Sequence, residues 1–375
     1  DRRTKGPCKK TANCVIFCAG SRRRKGCSVS ERDEGGPAGL PPLERLEDLA
    51  RLAGVSTSTA SRALNDSPLV SDRTKEHVRA VALKHHYSGR LRDKLVAPDR
   101  AATISVVVPP PHGRERRISD PFLLDLIGGL ADAGVDLDCD VLLSHTMPAD
   151  ADGIQSLLRA GRSNALIFLG QSTLHGAYNR LAGQGVPFLV WGAHLPDARY
   201  CLVGGDNARG GYRATRHLVR LGRQRIAFLG DVAAPEAELR FQGYRRALDE
   251  SGLPVAGDLI RSVGFQLDAG MQAVQGLIEG GHRVDGIVAA SDLIAIGAVR
   301  GLARQGLRVP DDVSVVGYDD IHLAALSQPA LTTVRQDVAR AGRLLLGKAL
   351  RVAAGEAVQS DILSADLIVR ESCGA

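Results

Sequence analysis

Aromatic residues are scarce in this sequence of 375 residues, where Phe, Trp and Tyr together make up only 4%. Aliphatic side chains and alanine must therefore fill the core, and the length allows two or three domains. Charged residues make up 24% and hydrophobic residues 44%, which excludes a wholly disordered chain. No run approaches the roughly 18 apolar residues of a membrane-spanning helix, so we expect no membrane partner.

Cysteine is also sparse, and its spacing is not that of a disulfide framework or a metal module. The sequence has seven cysteines, an odd number. Four of them lie near the start without the C-x-x-C spacing of zinc modules: Cys8, Cys14, Cys18 and Cys27. We expect neither disulfides nor a metal site. Residues 15–17 form an apolar stretch that is shorter than the about 7–15 residues of a secretory signal, so no such signal is expected.

The common catalytic motifs are missing. The sequence contains no G-x-G-x-x-G, no complete P-loop, no H-E-x-x-H and no G-x-S-x-G, which are the patterns of dinucleotide binding, phosphate binding, zinc proteolysis and serine hydrolysis. We therefore expect that the protein is not an enzyme and uses no cofactor.

Positive charge is concentrated at the front of the chain. The net charge is +6 over residues 1–42, +3 over residues 43–97 and −3 over the remainder. A basic front on a mildly acidic body indicates a segment that binds a polyanion, joined to a body with a different function. Residues 1–42 themselves are predicted to be a disordered basic extension.

Residues 43–87 are predicted to form three short helices. Leu46, Leu49, Ala50 and Ala53 make one apolar stripe at helical spacing. Gly54 suits the left-handed turn that ends a helix, and a good N-cap, Ser56, follows. Two helices joined by such a turn are typical of a helix-turn-helix, whose second helix enters the major groove of DNA. The alternative is an ordinary three-helix unit with a solvated Ser/Thr face.

The segment Leu49–Asn65 closely resembles the DNA-binding headpiece of the lactose-repressor/galactose-repressor (LacI/GalR) family. Val70, Ser71 and Tyr87 match it as well. The resemblance implies that three residues read bases: Thr57, Ser58 and Arg62. It implies that four others hold the DNA backbone: Ser56, Thr59, Ser61 and Asn65.

Residues 88–100 are predicted to be the hinge or linker that follows the headpiece. In the family a hinge folds on DNA and a leucine wedges into the minor groove. Here Val96 stands at the wedge position, Gly89 and Arg90 replace the usual Pro-Asn, and Asp93 replaces an Ala. A carboxylate near phosphates and a shorter wedge are unfavourable for insertion, so the alternative of a flexible linker stays open.

Residues 101–373 alternate between apolar runs and helical stretches. Buried parallel strands require largely apolar runs, and such runs are Ile104–Val108, Val141–Leu143, Ala165–Leu169, Phe188–Trp191, Ile226–Leu229, Gly286–Ala289 and Val313–Val316. The alternation predicts an α/β fold, and the length predicts two lobes of doubly wound parallel sheet. Ligands of such folds bind beyond the carboxyl ends of the strands.

This body resembles the effector-binding core of the same family, which is similar to periplasmic sugar-binding proteins. The matching segments are Asp206-Asn207, Arg240–Tyr244, Ser291-Asp292, Val313–Asp320 and Pro329–Asp337. The resemblance implies that Arg240, Asp319 and Gln336 bind sugar hydroxyls and that Phe265 and Trp191 wall the ring. It also implies the further candidates Asp120, Phe122, Gln171, Ser291 and Asp292.

Four of these candidates have a plainer interpretation. Arg240 alternatively lies on the surface, Asp319 caps a turn, and Phe265 and Trp191 belong to the core. Taken together, the sequence predicts a cytoplasmic, homodimeric transcription regulator, a repressor, that binds operator DNA and a carbohydrate effector. A periplasmic sugar-binding protein and an α/β enzyme with an accessory helical domain are the alternatives.

Overall fold

The computed structural model describes residues 46–64, 67, 69–84, 101–109, 118–144, 146 and 148–375. Its helices are α1 (Leu46–Leu52), α2 (Thr57–Leu64), α3 (Asp72–Lys84), α4 (Pro121–Asp136), α5 (Ala151–Arg159), α6 (His175–Leu181), α7 (Asn207–Arg220), α8 (Pro235–Asp249), α9 (Leu267–Glu279), α10 (Asp292–Arg304), α11 (His322–Leu326) and α12 (Val338–Ala353). The predicted extension over 1–42 and the predicted linker over 88–100 lie outside these described residues.

The strands fall into two sheets. In chain order they are β1 (Ala102–Val107), β2 (Cys139–Ser144), β3 (Ala165–Leu169), β4 (Phe188–Trp191), β5 (Leu202–Gly205), β6 (Ile226–Leu229), β7 (Ile260–Arg261), β8 (Gly286–Ala289), β9 (Ser314–Asp319), β10 (Thr332–Arg335), β11 (Asp361–Leu363) and β12 (Asp366–Ile368). The first sheet has the order β11-β5-β4-β3-β1-β2, and the second has the order β12-β10-β9-β8-β6-β7.

The headpiece is a three-helix unit around a small apolar core. Leu49, Ala60 and Val78 come from α1, α2 and α3 and are fully buried. Gly54, between the first two helices, has a φ of +63°, a conformation that glycine adopts without steric cost. The helix-turn-helix predicted from the apolar stripe and the glycine is therefore present.

Each sheet carries helices on both faces and forms the core of one lobe. All strand pairs of the first sheet are parallel. In the second sheet, only the pairing of β10 with β12 is antiparallel. Buried runs such as those of β3 and β6 are apolar throughout, as parallel strands covered on both sides must be. The predicted two-lobed α/β fold is confirmed.

The chain crosses between the lobes three times. It passes from β5 to α7 at residues 205–207, from β10 to α12 at residues 335–338, and from β11 to β12 at residues 363–366. Three neighbouring connections of this kind allow the lobes to change their relative arrangement by small backbone rotations.

Glycine contacts bring α7 and α8 close together in the second lobe. A Cβ at Gly211 would overlap the carbonyl group of Arg240, and one at Gly243 would overlap that of Ala208. Because both positions lack a side chain, the helix backbones approach closely. This packing fixes the position of Arg240 beside the first crossover.

Candidate functional site: the headpiece surface and the cleft between the lobes

The headpiece exposes one polar face of α2. Ser56, Thr57, Ser58 and Arg62 are exposed, whereas Ala60, Ala63 and Leu64 face the core. Thr59 and Ser61 are half-buried. Candidate residues Asn65 and Val96 lie outside the described residues.

The N-terminus of α2 is capped by a side chain but carries no acid. Ser56 Oγ accepts a hydrogen bond from the Thr59 backbone N–H at 3.1 Å, and the Ser56 and Thr59 hydroxyls lie 2.7 Å apart. The first turn of the helix contains no Asp or Glu. Since a helix N-terminus attracts anions, this end is suited to a phosphate of DNA.

A cavity of about 480 Å³ lies in the cleft between the lobes, within the size range of small-molecule sites. Seven of the ten predicted effector-binding residues line it: Asp120, Phe122, Trp191, Arg240, Phe265, Asp319 and Gln336. The first three belong to the first lobe, and Arg240, Phe265 and Asp319 belong to the second. Gln336 lies on a crossover.

Arg240 is buried, with 4% of its surface exposed, so it is not a surface arginine. Its Nε donates a hydrogen bond to Asn207 Oδ1 at 2.8 Å, and its Nη1 donates to the carbonyl oxygen of Ala290. Nη1 also lies 3.7 Å from Asp319 Oδ1. The guanidinium carbon stands 3.7 Å from the centre of the Tyr318 ring, a cation–π contact.

Asp319 ends β9 in a backbone conformation that is rare outside glycine, with a φ of 118°. Its Oδ1 accepts a hydrogen bond from Gln336 Nε2 at 2.7 Å. Burial, helped by the Asp120 carboxylate of the other lobe and opposed by Arg240 and Gln336, raises the pKa of Asp319 from 3.8 to about 7. Strained residues cluster at functional sites, which favours a ligand-binding role over a turn cap.

Aromatic side chains wall the cavity on the first lobe. The ring centres of Phe122 and Trp191 lie 6.0 Å apart with an angle of 40° between the planes. Phe265 lines the cavity from the second lobe and is half-buried. A wall of this kind can cover the apolar face of a sugar ring, while Arg240 and Asp319 supply donors and acceptors for hydroxyls.

Three of the predicted effector-binding residues do not line the cavity. Gln171 is buried, and its amide bonds both to the Ala193 backbone and to the Tyr200 hydroxyl. Ser291 caps α10 by accepting a hydrogen bond from Ile294 N–H. Asp292 is fully buried and accepts hydrogen bonds from Thr333 Oγ1 and the Ile321 N–H. The side chains of all three accept hydrogen bonds from backbone N–H groups behind the cavity.

Gln171 also explains the glycine at position 192. A Cβ on Gly192 would lie 2.5 Å from Gln171 Oε1, and that oxygen already accepts a hydrogen bond from the Ala193 N–H at 2.9 Å. The first lobe therefore offers no side chain at this point of the cavity wall.

Sequence reasoning missed several polar residues of the wall: Ser119, Asn207, Asp231, Glu236, Gln266 and Asp268. Most of them lie just before or within the first turn of a helix that follows a strand. That position was the available signal, because such turns face the carboxyl edge of the sheet.

The described residues hold no cluster of metal-ligating side chains. Within the same part of the chain, no helix has the length and apolar character to cross a membrane.

Residues 45–89 match the family described as "Bacterial regulatory proteins, lacI family", and residues 215–373 match "Periplasmic binding protein-like domain". The transcriptional regulator CelR of Thermobifida fusca is 32% identical over 358 residues, which cover 87% of this chain and 97% of CelR. The transcriptional regulator DegA of Bacillus subtilis is 29% identical over 335 residues, which cover 87% of this chain and 97% of DegA.

Solved structures of regulators of this kind also match the fold of this chain. The CelR–cellobiose complex matches with a TM-score of 0.63 and 30% identity, covering 88% of this chain and 99% of that one. The lac repressor dimer bound to operator and an anti-inducer matches with a TM-score of 0.65 and 26% identity. The match covers 89% of this chain and 100% of the lac repressor chain. These matches confirm the family and the fold that the sequence predicted. The chain belongs to the LacI family of helix-turn-helix transcriptional regulators.

Proposed function

We propose that this protein is a homodimeric repressor whose affinity for operator DNA is controlled by a carbohydrate bound between its lobes. The observation that carries the proposal is the cavity itself, with a buried Arg240–Asp319 pair on one side and aromatic walls from both lobes. Sugar sites combine these two features, because a sugar has hydroxyls at its rim and an apolar ring face. The cellobiose bound by CelR and the ribose bound by a LacI-family regulator of Enterococcus faecium support the ligand class.

Two hydrogen bonds connect the proposed ligand site directly to the crossovers. Arg240 bonds to Asn207, which begins α7 at the first crossover, and Asp319 bonds to Gln336 at the second. A ligand that binds to Arg240 and Asp319 and shifts them therefore also shifts the crossover segments that set the arrangement of the lobes. The ligand changes operator binding only if it prefers one arrangement over the other.

The proposed mechanism needs two headpieces. Helix-turn-helix dimers bind two half-sites at a fixed spacing, so a change in lobe arrangement that moves the headpieces apart weakens operator binding. A protein that binds operator DNA in a bacterium acts in the cytoplasm. We expect no turnover of the bound sugar, since the relatives are regulators.

The test combines selection and titration. Purified protein is used to select duplexes from a random library, and the protein is then screened by thermal shift against a sugar panel that includes cellobiose and ribose. A sugar at 100 times its Kd should stabilise the fold by about 2.7 kcal/mol, and the same sugar should change the affinity for the selected palindrome. If no sugar changes the thermal stability or the operator affinity, the proposed function is rejected. Formation of a product from a sugar would favour an enzyme.

A further inference from the structure

The N-terminal ends of five helices, α4, α7, α8, α9 and α10, face the proposed effector cavity. The residues at these ends that line the cavity are Asp120, Phe122, Asn207, Pro235, Glu236, residues 266–268 and Leu293. The N-terminus of a helix carries partial positive charge and free backbone N–H groups, and it is a common binding place for phosphate and carboxylate groups of ligands. Five such ends around one cavity would, on backbone alone, favour an anionic ligand.

Each of these ends already holds a carboxyl group of the protein. Asp120 caps α4 and accepts a hydrogen bond from the Leu123 N–H at 3.2 Å, and Asp206 caps α7 and accepts one from the Arg209 N–H at 3.0 Å. Glu236, Asp268 and Asp292 lie in the first turns of α8, α9 and α10. Proline at the start of α4 and of α8 also removes one N–H donor from each end. A ligand anion would therefore find a carboxyl group of the protein already in place at every helix end.

The part of the cavity wall that the structure describes offers little positive charge in compensation. Among its described lining residues, Arg240 is the only Lys or Arg, against five acids: Asp120, Asp231, Glu236, Asp268 and Asp319. The guanidinium of Arg240 is engaged by Asn207, Ala290 and Asp319. It can donate to a hydroxyl, but these protein groups already surround it.

Glu236 is the carboxylate best placed to meet a ligand. It makes no side-chain hydrogen bond or ion pair in the part of the chain that the structure describes. Its Oε1 lies 3.4 Å from the Cβ position of Gly192 in the opposite lobe. The carboxylate of the second lobe thus reaches the place on the first lobe where no side chain exists. Asp231, by contrast, accepts hydrogen bonds from Ala233 N–H and Ser262 Oγ.

We propose that the effector is a carbohydrate without a negatively charged group, and that the cavity rejects phosphorylated sugars and sugar acids. This inference rests on the proposed function and narrows its ligand class. Hydroxyl or ammonium groups can donate to the free acceptors of Glu236, whereas a phosphate or carboxylate has no donor to spare for them. Like charges within several ångströms in a partly buried site repel strongly enough to weaken binding at least about ten-fold.

The experiment uses matched pairs that differ in charge on the same sugar skeleton. The pairs are glucose with glucose 6-phosphate, galactose with galacturonate, ribose with ribose 5-phosphate, and cellobiose with cellobiose 6′-phosphate. Calorimetric titration of the full-length protein should show, for the sugar that binds, an anionic partner at least about ten-fold weaker. An anionic partner that binds equally or more tightly would overturn this inference alone. Absence of binding by every sugar would instead reject the proposed function, and this inference with it.

A pair of variants tests whether the carboxylates cause the discrimination. Glu236→Gln removes one charge at the cavity and keeps the shape of the side chain. It should narrow the ratio between neutral and anionic affinities by about three- to ten-fold. Glu238→Gln is the matched control, because Glu238 lies in the same helical turn, bonds to Gln242 and does not line the cavity. Equal ratios in the two variants would overturn the assignment to Glu236.

Discussion

At the scale of single residues, Arg240 has both a binding and a structural role. Its guanidinium joins α8 to Asn207 at the first crossover and to Ala290 after β8. It also contacts Asp319. Arginine suits this position because its planar fork of donors is always charged and satisfies several acceptors at once.

We predict that Arg240→Ala abolishes the response to the effector while operator binding persists. The loss of a charged hydrogen bond to the ligand should weaken effector binding by about 1.5–3 kcal/mol. Because the change also leaves the buried acceptors on Asn207 and Ala290 without their donor, unfolding should become easier by about 1–3 kcal/mol. Calorimetric titration and urea unfolding measure the two effects.

The control for Arg240→Ala is Arg245→Ala, since Arg245 is exposed on the same helix. The effector affinity and the free energy of unfolding should both stay near their wild-type values in Arg245→Ala. Wild-type effector affinity in Arg240→Ala would place the ligand elsewhere.

Asp319 gives the stability of the protein a specific dependence on pH. Its pKa is about 7 in the folded protein and 3.8 without the fold. Between these values the folded state binds more protons than the unfolded state, so the stabilisation present at low pH is lost as the pH rises towards and through 7. We predict that wild-type protein loses on the order of 2 kcal/mol more than Asp319→Asn between pH 5 and pH 8. Urea unfolding of both proteins at the two pH values checks this, and equal losses would refute it.

At the scale of elements, α2 has one face that packs in the headpiece core and an opposite face that is exposed for binding DNA. Ala60 and Ala63 are fully buried against the other helices, while Thr57, Ser58 and Arg62 are exposed. Small buried residues let the helix pack closely, which leaves the whole polar face available to a major groove about 12 Å wide.

We predict that Arg62→Ala removes specific operator binding and leaves the effector response of the core intact. Loss of a base contact should cost about 1–3 kcal/mol per half-site. Gel-shift titration with the selected palindrome measures the change. Arg51→Ala is the control, because Arg51 lies on α1, is exposed and, among the described residues, forms an ion pair with the nearby Asp48. Unchanged affinity in Arg62→Ala would contradict the assignment of α2 as the recognition helix.

The predicted linker allows a prediction from sequence alone. Asp93→Ala should tighten operator binding, because it removes a negative charge near the phosphates and favours a helical hinge by a few tenths of a kcal/mol. Fluorescence anisotropy with the selected operator measures the change. Weaker binding by the variant would mean that Asp93 has a structural role or that the linker does not approach DNA.

At the scale of the whole molecule, one exposed sheet edge is suited to a second copy of the chain. β2 is an edge strand of the first sheet, and Leu142 and Leu143 on it are 41% and 43% exposed. Large apolar side chains on a free strand edge are unfavourable in water and are typical of protein interfaces. The matching lac repressor structure is a dimer.

We predict that replacing both Leu142 and Leu143 with Asp converts the proposed dimer to a monomer of 39.7 kDa. Light scattering measures the mass, and operator affinity should fall because one headpiece binds only one half-site. Ile362→Asp is the matched control, since Ile362 is 60% exposed on β11 at the opposite edge of the same sheet. A double variant that stays dimeric would exclude this edge as the interface.

The prediction of elements from sequence succeeded where local patterns were strong. The apolar stripe with Gly54 predicted the first helix and its turn, and the apolar runs predicted β3, β4, β6 and β8 with the same bounds as the structure. β5, β10 and the short strands β7, β11 and β12 were not predicted. β5 contains Gly204 and Gly205, and glycine weakens any strand signal, while strands of three residues are too short to show a period.

The sequence by itself determined the family, the two-lobed fold and the polar face of the recognition helix, because these follow from local spacing and from long matching segments. The tertiary structure alone decided which polar residues share the cavity. It separated Arg240 and Asp319, which line the cavity, from Ser291 and Asp292, which support backbone behind it. It also brought Glu236 opposite Gly192, 44 positions away in the chain. Such pairings arise when distant strand ends converge on one cleft, and no local sequence period records them.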